Sequence, residues 1–88
     1  MRIKTSELTE QRLMHVLSLP DLSWQTCGPI IEREGIHLYV DESKLEWVSS
    51  CWGHQSAYHG PPTPLIAAMR AFVASKLGEE VEIPEELL

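Results

Sequence analysis

Apolar side chains recur along this chain in two rhythms. Ile36, Leu38 and Val40 alternate with His37 and Tyr39, the period of two that marks a half-buried strand. After the polar turn Asp41 to Lys44, the segment Leu45 to Cys51 returns with Trp47 and Val48 and predicts the second arm of a hairpin. The turn contains no glycine and is longer than the tight two-residue types, so it leaves the register open.

The other rhythm is helical. Leu13, Val16 and Leu17 lie on one face, widened by Met14, and predict a helix capped at Thr9 or Ser6 and running to about Leu19, before Pro20 and Asp21. TPLIAAMRAFVASKLG, from Thr63 to Gly78, predicts a second helix with both ends specified. Thr63 supplies an N-cap oxygen, and Pro64 stands at the first helical position, where its missing N–H costs nothing. Gly78 supplies a left-handed stop, and Lys76 complements the helix dipole. Ile66, Met69, Val73 and Leu77 are the expected core face, with Arg70 near its boundary and within reach of a salt bridge to Glu32 or Glu34.

Weaker signals complete the outline. Arg2 to Lys4 reads as a short strand with Ile3 inward, and Gly28-Pro29 reads as a turn before one helical turn from Ile30 to Glu34. Trp52 to Pro62 is a loop rich in Gly, His and Pro. Val81 and Ile83 alternate with glutamates until Pro84 ends the pattern, and Leu87 and Leu88 either fold back or fray. The expectation is an α+β fold, a small antiparallel sheet of a hairpin plus short edge strands packed against two helices. It forms one compact domain over residues 1–88, with an acidic C-terminal tail at 79–88.

Charge sharpens the picture. The net charge is −6, yet residues 79–88 hold five glutamates and no Lys or Arg, so the rest of the chain is nearly neutral. Direct nucleic-acid binding needs a basic stripe to displace counterions, and none is visible. No apolar run approaches the roughly 20 residues of a membrane span, and the N-terminus lacks the apolar core of a signal peptide. The expected location is the cytoplasm of a bacterial host.

Candidate chemistry is sparse. Cys27, Cys51, His54 and His59 are the residue types of a tetrahedral zinc site, but only Cys51-x2-His54 and His54-x4-His59 approach the tight ligand pairs of structural zinc, and Cys27 lies 24 positions before Cys51. One buried cysteine and surface loop histidines are the plainer reading, and no metal or other cofactor is expected. Cys51 with His54 or His59 could also be read as a nucleophile and base, with no sequence sign of the activation such a pair needs. His15 and His37 have no evident partner, and His37 is expected on the exposed strand face. Among the aromatics, Trp24 and Trp47 read as core. Trp52 and Tyr58 sit on the glycine- and histidine-rich loop, where aromatics often anchor partners.

Several phrases carry a resemblance: MRIKTSELT at the start, Trp24, GPIIERE from Gly28, Trp47, GPPTPLIAAMR and VASKLGEEVEIPEELL. Together they resemble the NinX-like family of small bacteriophage and prophage proteins, whose members read GPTPLIAAMR where this chain has an extra proline, Pro61 or Pro62. Apart from Trp47, residues 42–59 follow no family pattern. The resemblance implies a gene carried by temperate phages, near genes for recombination and late regulation; it implies no catalytic residue and no cofactor.

The expected function is therefore a non-enzymatic binding protein that modulates or inhibits a host or defence protein. An anti-CRISPR-type inhibitor of a nucleic-acid-handling machine is its sharpest version. Trp52, Tyr58, Glu79, Glu80 and Glu82 are the candidate contacts. The alternatives are a homo-oligomeric, dimeric accessory factor built on the hairpin edge or second helix, and a small Cys/His metal- or thiol-dependent enzyme.

Overall fold

The computed structural model describes residues 1–43, 46–51 and 63–87, together with the backbone of Tyr58–His59. Its strands and helices are β1 (Arg2–Lys4), α1 (Glu10–Leu17), α2 (Trp24–Glu34), β2 (Ile36–Asp41), β3 (Glu46–Cys51), β4 (Tyr58–His59), α3 (Pro64–Leu77) and β5 (Glu80–Glu82). The α+β class holds, with three helices and two small antiparallel sheets, β1-β5 and β2-β3-β4.

α3 is the hub, and its sequence explains why. Four alanines between larger apolar residues let neighbours approach closely, and residues 65–71 are all buried. A helix apolar all round belongs inside a fold rather than on its surface. β2 and β3 cross one side of it, while α1 and α2 pack elsewhere along its length. The Thr63 hydroxyl accepts the Ile66 N–H at 3.3 Å, as its N-cap position predicts.

The hairpin forms with the arms expected. Its register pairs Ile36 with Cys51, Leu38 with Ser49 and Val40 with Trp47, without a bulge. Ser49 is fully buried on the α3 side, where its hydroxyl donates to the Ala67 carbonyl, so a polar residue in this layer is satisfied.

α2 is where the chain departs most from expectation. The helix runs straight through Gly28-Pro29, from Trp24 to Glu34. Proline in a helix deprives the carbonyl four residues earlier of its donor, and here that carbonyl belongs to Gln25, in the exposed first turn where water can replace it. Gly28 has no Cβ to meet the proline ring, which removes part of the clash that normally keeps pre-proline residues out of the helical region. Ser23 then caps the helix, its Oγ accepting from Thr26 N at 3.2 Å, and Asp21 accepts from both the Ser23 and Thr26 hydroxyls. Those two donors hold the Asp21 carboxyl below its ordinary pKa, Thr26 first and Ser23 second.

Three other expectations are corrected. Trp24 is 56% exposed, because the first turn of α2 extends beyond the core that Cys27 and Ile30 enter. Leu77 is also exposed, since α3 has passed the end of the core by its last residue. Arg70 is buried rather than at the boundary: its Nε donates to the Leu8 carbonyl at 2.8 Å, and burial lowers its pKa. The Glu34 carboxylate is held by Arg33 at 2.9 Å and by Lys76 of α3 at 3.0 Å.

Candidate functional site

The glutamates of the C-terminal segment are drawn into a strand. Thr5 is fully buried; its hydroxyl donates to the Gly78 carbonyl and its N–H to the Glu79 carbonyl, both at 2.7 Å, which pins the exit of α3 beside the end of β1. From there β5 runs antiparallel to β1, with Arg2 opposite Glu82, Ile3 opposite Val81 and Lys4 opposite Glu80. Alternation sends Val81 inward, where it is buried with Ile83, and leaves Glu80 and Glu82 exposed beside two cations. The Met1 ammonium also lies 3.0 Å from Glu82 Oε2. RIK and EVE are thus complementary in both shape and charge.

A groove of about 370 Å³ opens along this ribbon. Val81 and Val16 of α1 give it apolar walls, the exposed Leu77 stands at one side, and Arg2, His15, Glu80 and Glu82 supply polar groups. Glu80 and Glu82 are candidate contacts from the sequence; the other five lining residues, Arg2, His15, Val16, Leu77 and Val81, are not. The available signal was the match between two three-residue segments at opposite ends of the chain. Glu79 itself is exposed just before β5.

The other candidate residues lie elsewhere. Trp52 and His54 fall outside the described residues, as do the side chains of Tyr58 and His59 on β4. Both cysteines are buried in the core. The Cys27 thiol is pushed above its ordinary pKa, first by burial and then by the Asp21 charge, against a backbone hydrogen bond at Ser23. A thiol so placed stays protonated at neutral pH and is a poor nucleophile and ligand. Cys51 donates its S–H to the Glu34 carbonyl at 3.6 Å. Among the described residues no three His, Cys, Asp or Glu side chains come together as a metal site, and no helix is long and apolar enough to cross a membrane.

Comparison with known proteins gives one family. The family model described as bacteriophage P22 NinX matches residues 4–76, most of the chain, from the last residue of β1 through α1, α2 and the hairpin to Lys76 in the last turn of α3. No curated protein matches the sequence. The chain belongs to the bacteriophage P22 NinX family.

Proposed function

We propose that this NinX-family chain is a non-enzymatic accessory protein of the phage that binds a host or defence protein through the groove between α1, the end of α3 and the β1-β5 ribbon. The observation that carries this reading is the juxtaposition of exposed Leu77 with Glu80 and Glu82 in the lining of one groove. An apolar wall bordered by carboxylates suits a polypeptide segment with an apolar side chain next to basic ones. Glu79, Glu85 and Glu86 are exposed along the same C-terminal segment and extend the acidic character that would draw such a segment in.

An inhibitor of a nucleic-acid-handling machine, of the anti-CRISPR type, is the sharpest form of the proposal, since such machines carry basic surfaces. The cross-strand cations Arg2 and Lys4 favour a mixed protein contact over simple imitation of a phosphate backbone. Direct contact between this chain and nucleic acid is not part of the reading, given its net charge of −6. Catalysis is not part of it either: Cys27 and Cys51, the nucleophiles a thiol mechanism would draw on, are sealed in the core.

The test is affinity capture from a nuclease-treated host lysate with the native chain and with a Leu77→Ser/Glu80→Gln/Glu82→Gln variant. All three residues are exposed, so the variant should keep the native circular dichroism spectrum. A protein recovered in stoichiometric amount by the native chain and lost with the variant supports the groove. Equal recovery by both would place the contact elsewhere.

A further inference from the structure

The two sheets treat their edges differently. On the β1-β5 ribbon, Arg2, Lys4, Glu80 and Glu82 put a charge at every second residue, a pattern that discourages further strand pairing. β2 has no such protection. Among the described residues it is an outer strand of its sheet, six residues long, paired on one side only with β3. Its sequence, IHLYVD, contains no Lys, Arg or Pro, and its ladder has no bulge. Tyr39 is 51% exposed and Val40 is 45% exposed. Consecutive strand residues point to opposite faces, so this part of the strand is open on both.

We infer that β2 is a pairing edge for a second copy of this chain, the two strands running antiparallel about a two-fold axis at Tyr39. Symmetry makes antiparallel pairing of identical edges self-consistent. Outward-pointing amides meet only when each residue faces one of its own sheet face, which restricts the register to alternate positions. Centring on Tyr39 sets that ring beside its own copy, places Leu38 opposite the second copy's Val40, and brings His37 opposite its Asp41. Aromatic and aliphatic pairs fall in favourable matches, and each imidazole lies opposite a carboxylate whose Oδ1 also accepts from the Ser43 N–H and hydroxyl of its own chain. A shift of two residues in either direction breaks the His37–Asp41 match. The occupant is a second copy rather than another protein because the strand supplies both halves of each match. Five residues a side is well short of the roughly 20–30 of a standard interface, so the dimer forms by mass action as concentration rises. This surface is separate from the groove and does not depend on it.

Light scattering behind size exclusion and directed cross-linking test the inference on the full chain. The native protein should rise in mass toward twice that of the chain as concentration increases, and Tyr39→Lys, which sets two ammonium groups face to face, should remain at the single-chain mass. The register is read by oxidation. Tyr39→Cys should form a linked dimer rapidly, while His37→Cys, whose copies lie four residues out of register with each other, should not. Native protein that keeps the single-chain mass throughout, a dimer undiminished by Tyr39→Lys, or equal linkage of the two cysteine variants would each overturn the proposal.

Discussion

The Arg70 guanidinium donates to the backbone carbonyl of Leu8 at 2.8 Å, tying the middle of the central helix to the chain just ahead of α1. Leu8 itself is fully buried, so its carbonyl depends on protein donors rather than on water. Arg70→Met keeps most of the side-chain volume and removes this donor. It should cost about 1–3 kcal/mol, the expense of leaving a buried carbonyl short of a charged hydrogen bond. A urea midpoint that falls with unchanged slope is the expected readout. An unchanged midpoint would mean that the bond contributes nothing.

Helix caps offer a graded comparison. The Ser23 and Thr63 hydroxyls each accept a backbone N–H, whereas Thr9 stands at the N-cap of α1 with no such bond from its side chain. Ser23→Ala and Thr63→Ala should each lose about 1 kcal/mol, and Thr9→Ala distinctly less. Thermal unfolding of the three variants side by side gives the order.

Gly78 connects α3 to β5 with φ 92° and ψ −167°, a conformation open essentially to glycine alone. A Cβ there would meet no neighbour, so the cost of Gly78→Ala is purely backbone strain, roughly 1–3 kcal/mol. Because the same residue's carbonyl receives the Thr5 hydroxyl, the strain falls on the β1-β5 ribbon. Hydrogen exchange should therefore accelerate first in β1 and β5.

Acid sensitivity follows from two carboxylates. Hydrogen bonds from Arg33 and then Lys76 hold Glu34 below its ordinary value of 4.5, and those from Thr26 and Ser23 hold Asp21 below 3.8. A group whose pKa is lower folded than unfolded stabilises the fold above its unfolded pKa and loses that contribution as pH falls through the folded one. Stability from these two sites is thus complete above about pH 5 and declines at lower pH. Glu34→Gln with Asp21→Asn should flatten the melting temperature against pH in that acidic range. Asp21 is exposed and Glu34 half-buried, with water screening both, so the change is small.

Much of the fold was legible because periodicity, caps and alternation agreed. The hairpin arms, the inward Ile3, the alternation of Val81 with glutamates and the exposed His37 follow from spacing, and the ends of α3 from Thr63, Pro64 and Gly78. Gly28-Pro29 misled because the cost of an internal proline depends on where the orphaned carbonyl lies, and Gln25 lies in an exposed first turn. Arg70 lies beside the face formed by Ile66, Met69, Val73 and Leu77, so helical spacing puts it at the boundary; only the packing around α3 reveals the Leu8 carbonyl that receives it. The groove was half visible: the glutamates stood out, but their pairing with Arg2 and Lys4 joins segments nearly the whole chain apart, which no local window can register.

Amide hydrogen exchange of the chain with and without a captured partner shows whether the groove beside β5 is what holds that partner. New protection confined to β1, β5, the last turn of α3 and the facing side of α1 is the predicted result. Protection that spares those segments and appears instead along β2 or the α2 N-terminus would contradict it.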